Sequence, residues 1–252
     1  MSFEVSPDAY ARFMGQYSEP LAPLFADLAA VRRGQRVLDV GCGPGALTAE
    51  LASRVGADSV SAVEPSASFA AAVRERLPDV DVRRSAAEEL PFPDATFGVT
   101  LAQLVVHFMA DPVRGLREMR RVTVPGGTVA ACVWDHAGER GPLAAFWSAA
   151  RELDPAVTDE SGLPGVRKGH LASLFTQAGL ESTRESTLTV RVRHASFDEW
   201  WQRFTLGVGP AGDYVASLPP DRGAVLRERC RRLLPGEPVE ITAVAWAVTG
   251  RA

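Results

Sequence analysis

Val37-Leu38-Asp39-Val40-Gly41-Cys42-Gly43-Pro44-Gly45 is a short apolar strand that runs straight into a glycine-rich turn. Ala46-Leu47-Thr48-Ala49-Glu50-Leu51-Ala52 follows with apolar residues at helical spacing, so the turn is also the start of a helix. Strand, tight turn and helix together make an element that carries nucleotide ligands, because backbone N–H groups at a helix start face the ligand. Glycines suit such a turn, since a side chain would hold a ligand away from the backbone and some positions need positive φ.

The chain is 252 residues long, a length that folds as one domain or as one domain with an elaboration. Hydrophobic residues make up 46% and charged ones 23%, which places it among ordinary globular proteins rather than disordered or fibrous ones. A formal net charge of −4 argues against a broad phosphate-binding face and hence against a nucleic-acid partner. Cys42, Cys132 and Cys230 have no metal-like spacing and no even pairing, which points to a reducing compartment. Met1–Val5 lacks the basic-then-apolar pattern of a leader, and no apolar run approaches the length of a membrane span. The expectation is therefore a cytoplasmic protein with no membrane partner; oligomeric state is not legible.

Outward from the turn, strands and helices alternate. Ser59–Glu64 reads as a second strand ending in an acid, and a helix runs from Pro65-Ser66 to about Leu77. Asp81–Arg83, Thr96–Ala102 and Thr128–Trp134 read as further strands, with a helix over Pro112–Val122. Such alternation implies a mostly parallel, doubly wound α/β sheet. Beyond Trp134, helices are expected over Gly141–Leu153 and Lys168–Ala178, and strands over Thr187–Arg193 and Val239–Val248. Helices over Ser196–Phe204 and Pro219–Leu234 separate those two strands, so the excursion 196–234 reads as a lid inserted into an antiparallel addition at the sheet edge. Upstream, Leu21–Leu28 reads as a helix that covers the sheet; the preceding aromatic stretch is either plain packing or a flap whose Tyr17 closes over a cofactor.

Two cofactor readings fit the turn. Gly41-x-Gly43-x-x-Ala46, with Glu64 twenty-three positions after Gly41, matches a dinucleotide fingerprint and so an NAD-dependent dehydrogenase. The other rests on four stretches taken together. Asp39-x-Gly41-x-Gly43-x-Gly45 resembles the first motif of class I S-adenosylmethionine (SAM)-dependent methyltransferases. Ala62-Val63-Glu64-Pro65-Ser66 is similar to their ribose-binding strand end. Ala87–Phe97 and Arg121-Val122-Thr123-Val124-Pro125-Gly126-Gly127 resemble two further segments of the same family, and the dehydrogenase fingerprint has no counterpart of either. The resemblance covers roughly residues 9–134 and is closest to the small-molecule, methyltransferase type 11 group of ubiquinone and menaquinone biosynthesis.

That resemblance implies a Rossmann-like seven-stranded sheet with an antiparallel last strand, in a single domain (1–252) whose cofactor core is 37–134. It implies SAM as methyl donor, S-adenosylhomocysteine as product and a small-molecule acceptor. It assigns Asp39 to the turn and the methionine amine, and Gly41, Cys42 and Gly43 to backbone contacts. Glu64 and Pro65 fall to the ribose, the Ala87 N–H with Glu88 to adenine, and the Gln103 backbone carbonyl to the amine. His107 follows the fourth strand, where the family frequently faces a histidine to the substrate; it is the candidate catalytic base, and the alternative is a histidine that only shapes the pocket. A free imidazole titrates near neutrality, so a base here would give an acidic limb near pH 6–7. No metal ligand set is visible. Ala86 and Gly98 stand where the family often has Asp, and Val124 where it often has Lys. Trp147, Trp200, Trp201 and Phe204 are either core or the lining of an apolar acceptor pocket. His136, His170 and His194 carry no assignment. A SAM-binding protein without turnover remains the alternative of another class.

Overall fold

The strand that opens the glycine motif, β1 (Val37–Val40), is buried along its whole length in the middle of a seven-stranded sheet. The computed structural model describes residues 6–252; Met1–Val5, on which the expectation about a leader rests, lie outside the described residues. Ahead of β1 come α1 (Pro7–Tyr10), a π-helical turn (Ala11–Gly15) and α2 (Gln16–Leu28). After it come α3 (Ala46–Val55), β2 (Val60–Val63), α4 (Ala67–Arg76), β3 (Asp81–Arg83), β4 (Phe97–Gln103), α5 (Pro112–Val122) and β5 (Thr123–Trp134). The chain then runs through α6 (Ala144–Leu153), α7 (His170–Gln177), β6 (Glu181–His194), α8 (Phe197–Gln202), α9 (Gly209–Ser217), α10 (Pro220–Leu233) and β7 (Val239–Arg251).

The sheet order is β3-β2-β1-β4-β5-β7-β6. The first five strands run parallel, with Asp39 level with Ala62 on one side and Leu101 on the other. β7 is antiparallel both to β5 and to β6, which bears out the expected doubly wound sheet with its antiparallel addition. Strand order reverses between β1 and β4, and the carboxyl ends of those two strands are where such sheets leave a crevice. Edge strand β6 is mostly exposed and carries Glu181, Arg184, Glu185, Arg191 and Arg193, charges that discourage pairing with another sheet.

Local chemistry fixes the helix starts next to the crevice. The Ser66 side chain caps α4 by accepting from the Phe69 N–H, and Asp111 caps α5 by accepting from the Arg114 N–H. Arg121, near the end of α5, ties down the loop that follows β3. It donates to the carbonyls of Leu90 and Phe92 and pairs with Asp94 and Glu118. The Leu90 N–H donates to Glu118 and Arg83 donates to the Pro91 carbonyl, so the loop around Ala87–Phe97, with little regular structure of its own, is held largely by side chains.

Boundaries differ from the sequence reading where long-range pairing decides them. β6 begins at Glu181 because its partner β7 runs on to Arg251. α9 is an extra helix that its Gly-Pro-Ala-Gly start conceals. The excursion 196–234 also packs more deeply than a flap: Phe197, Trp200, Phe204, Val208, Leu226 and Cys230 are fully buried in the same core as Tyr17, Leu21 and Phe25. Phe204 stacks on Phe146 of α6 at 4.4 Å, and Trp147, Trp200 and Trp201 are core residues too. No described helix is long and apolar enough to cross a membrane.

Tyr17 is also core. Its hydroxyl bonds to Nε2 of His194 at 2.9 Å, and the Arg203 guanidinium lies 4.5 Å from its ring centre. Burial, helped by the Arg203 charge, pushes the His194 pKa down from 6.5 to about 4. The unfolded chain therefore takes up this proton well before the folded one does. The stability this group contributes is complete above pH 6.5 and is lost as pH falls towards about 4. His194→Gln should accordingly show a shallower fall in melting temperature than wild type across that window, and parallel curves would contradict the assignment.

Candidate functional site

The glycine turn is closed by two sets of bonds from β2. The N–H groups of Gly41 and Cys42 both donate to the Val63 carbonyl, at 2.8 and 3.0 Å. The Glu64 carboxylate accepts from the Gly43 N–H through Oε2 and from the Ser66 N–H through Oε1, each at 2.9 Å. Glu64 thus links the first turn to the start of α4 while it lines the crevice. Burial raises its pKa, against the two backbone N–H bonds that lower it. Gly41 is required sterically: its φ is +70°, and a Cβ there would lie 2.6 Å from both methyls of Val105.

The crevice encloses about 280 Å³. Gly41, Gly43, Glu64 and Pro65 form one side, Ala87 and Glu88 another, with Phe69 and Met109 as apolar walls. Glu88 also accepts from the Asp111 N–H at 3.1 Å, so it braces the start of α5. Tyr10, which the sequence reading passed over, lines the crevice and meets Phe69 edge-on at 5.3 Å. Tyr17, proposed there as the closing flap, does not line it. The π-helical turn sends consecutive aromatic residues to different compartments, and seven positions of chain separate the two tyrosines.

A narrower compartment of about 50 Å³ extends towards β1 and holds Asp39, Cys42 and Gln103. Asp39 Oδ2 accepts from Thr48 Oγ1 at 2.7 Å, while Oδ1 is buried without a partner. Burial, opposed by the Thr48 bond, pushes the Asp39 pKa up to about 7. The Gln103 side chain donates to the Ser18 carbonyl at 3.0 Å, and its own Oε1 is also buried and unpartnered. Buried polar atoms are ordinarily paired, so two unmatched acceptors in one compartment point to a cationic or donor ligand group. Thr48 was not foreseen, since a threonine in a helix carries no signal. Cys42 packs by size: burial and the nearby Asp39 and Glu64 charges push its thiol well above 9, which makes it unreactive.

His107 stands outside this crevice, on a small cavity behind it. It is buried, and burial with His136 nearby holds its pKa well below 6.5. The acidic limb expected of a free imidazole at pH 6–7 therefore moves to lower pH. No group of three or more metal-ligating side chains occurs among the described residues.

Residues 38–131 match the family model described as Methyltransferase domain. An uncharacterised methyltransferase of Schizosaccharomyces pombe is 36% identical over 110 residues, which is 39% of this chain and 40% of the relative. The ubiquinone/menaquinone biosynthesis C-methyltransferase UbiE of Idiomarina loihiensis is 38% identical over 110 residues, 41% of this chain and 44% of the relative. The matches thus span less than half of these relatives' own length. Among solved structures, the YcgJ protein of Bacillus subtilis superposes with a TM-score of 0.60 at 19% identity, covering 91% of this chain and 97% of that one. Over residues 38–131 the chain is thus similar to a methyltransferase domain, and its fold is that of the solved structure it superposes on.

The steric demand at Gly41 is separable from ligand binding. Positive φ and the Val105 clash together should cost about 1–3 kcal/mol in Gly41→Ala, or several degrees of melting temperature for a chain of this size. Adding Val105→Ala removes the clash and leaves the strain, so the double variant should recover part of the loss in a thermal melt. Unchanged melting of Gly41→Ala would refute the geometry.

Proposed function

We propose that the protein is a SAM-dependent methyltransferase acting on a small-molecule acceptor in the cytoplasm. The observation that carries the reading is the pair of buried, unmatched acceptors, Asp39 Oδ1 and Gln103 Oε1, next to the glycine turn. A methionine ammonium supplies the donors both atoms lack. Glu64 retains lone pairs beyond its two backbone bonds and stands where ribose hydroxyls reach it, and Phe69, Ala87 and Met109 offer a wall to adenine. A dinucleotide pyrophosphate, by contrast, would bring negative charge against Asp39 and Glu64.

When bound, SAM supplies an activated methyl group on a sulfonium. Catalysis by this chain then consists mainly of aligning an acceptor and excluding water. His107 is the candidate base for an acceptor that must lose a proton, and its burial keeps it neutral at physiological pH. The excursion 196–234 serves as the far wall of the acceptor space rather than as a detachable lid, because its aromatic residues are shared with the core. The net charge of −4 favours a small acceptor over nucleic acid, and three unpaired cysteines suit the cytoplasm.

Titration calorimetry with S-adenosylhomocysteine tests the assignment. An ammonium against Asp39 favours its ionised form, so binding at neutral pH releases a proton and affinity rises with pH up to about 7. Asp39→Asn should lose that dependence and bind about 10–150-fold more weakly, the loss expected of one charge-assisted bond. Glu64→Gln keeps one acceptor oxygen and should lose less than Glu64→Ala, which also opens the turn. Displacement of the ligand by NADH would restore the dehydrogenase reading.

A further inference from the structure

Behind the crevice lies a second cavity of about 30 Å³, enough for roughly one or two water molecules. Tyr10, Leu104 and Phe108 line both spaces, so the two are neighbours. Phe13 and Met14 of the π-helical turn and Val208–Pro210 at the start of α9 supply apolar walls. Its remaining lining is polar in an unusual way. Trp134 and His107 are both fully buried, and Trp134 Nε1 and His107 Nδ1 have no hydrogen-bond partner. Beside them sit His136 and Glu160, also buried.

An indole N–H can only donate, whereas an imidazole nitrogen can accept. A hydroxyl is the smallest group that satisfies both at once, since it accepts from one side and donates to the other. The carboxylate adds a direction. Glu160 Oε2 accepts from Trp147 Nε1 at 2.9 Å, and Oε1 faces His136 Nε2 at 4.0 Å. His136 in turn lies against His107, with ring centres 6.1 Å apart. A negative field behind two imidazoles favours a ligand group that brings a proton over a carbonyl, which brings none.

We propose that this cavity is the terminal subsite for the acceptor, and that it takes the hydroxyl end of an apolar molecule between Trp134 Nε1 and His107. The proposal rests on the methyltransferase reading of the adjacent crevice. The hydroxyl oxygen accepts from the indole, and its proton is donated to the imidazole. On transfer, the oxygen's electron pair would form the O–CH3 bond as the sulfonium's S–CH3 bond breaks and S-adenosylhomocysteine leaves, while the O–H bond breaks and its proton forms an N–H bond on His107. Glu160 is a positioning residue that acts through His136 to balance the imidazolium charge. The charged and titratable groups around the pair are few. Tyr10 stands near Glu160, with its hydroxyl pushed up to about 12 by burial and by Glu64 and Glu160. His136 also feels Asp159 and Asp135, which are paired with Arg151 and Arg140.

This arrangement could not be read from sequence. Trp134, His136 and Glu160 sit 27, 29 and 53 positions beyond His107, with no motif around any of them. The full-length protein, saturated with S-adenosylhomocysteine, is titrated with phenol, benzene and benzaldehyde by ligand-observed NMR. Phenol should bind at least about tenfold more tightly than the other two, the difference made by one well-placed pair of bonds. Trp134→Phe and His107→Gln should each bring phenol down to the benzene value. Glu160→Gln keeps the bond from Trp147 but removes the charge, so it should weaken phenol and lower the pH at which His136 titrates.

S-adenosylhomocysteine affinity, measured on the same samples, should stay within about twofold in all three variants, because none of these side chains lines the crevice. That titration also shows that each variant is folded. Benzene or benzaldehyde binding as tightly as phenol, or no phenol binding in the millimolar range, overturns the subsite. Failure of the wild type to bind S-adenosylhomocysteine overturns the cofactor reading instead.

Discussion

The carboxylate of Glu64 is the joint on which the site depends. It leaves the end of β2 and bonds the Gly43 N–H of the first turn and the Ser66 N–H ahead of α4, both at 2.9 Å. The two backbone segments that must face a nucleoside are thereby held at a fixed separation by one side chain. Its burial is offset in part by those bonds, since a carboxylate that accepts from backbone amides loses less on leaving water, although burial still raises its pKa. A side chain cannot replace Gly41 in the turn without meeting Val105. Rigidity here is a product of close packing and of paired backbone groups, with little help from loop chemistry.

Polarity is distributed unevenly around that joint. Among the described residues eleven buried side-chain atoms have no partner, and four of them belong to residues lining two adjacent compartments: Asp39 Oδ1 and Gln103 Oε1 in one, His107 Nδ1 and Trp134 Nε1 in the other. The first pair consists of acceptors only, and the second includes an obligate donor. Each compartment is thus unsatisfied in a different sense. A buried unpaired group costs about 1–3 kcal/mol, and here two such atoms share each compartment.

The helical excursion between β6 and β7 illustrates how a fold uses an insertion. Its aromatic residues fill space between α6, α2 and the sheet, with Phe204 stacked on Phe146 and edge-on to Phe13. Arg203 is buried beneath these rings, near Tyr17, and His194. The excursion is therefore part of the core, and of it only Val208–Pro210 at the start of α9 lines the small cavity.

The sequence by itself determined the class of fold. Alternating apolar strands and amphipathic helices, with glycines between Asp39 and Gly45 and an acid closing β2, are local patterns fixed by residue spacing and backbone sterics. They place Asp39, Gly41, Gly43, Glu64, Pro65, Ala87, Glu88 and Gln103 around one end of β1 and β4, because parallel sheets gather those strand ends. Only the tertiary structure decided that Tyr10 rather than Tyr17 faces the crevice, that Thr48 engages Asp39, and that Glu160 and Trp134 come to His107. It also decided between the two readings of Trp147, Trp200, Trp201 and Phe204 by placing them in the core. Those outcomes depend on packing between segments far apart in the chain, where one register or one helical turn changes which way a side chain points. A local pattern carries no record of what will stand opposite it, and that is the physical reason the contacts of Thr48 with Asp39 and of Glu160 with Trp147 and His136 could not be read before the chain was folded.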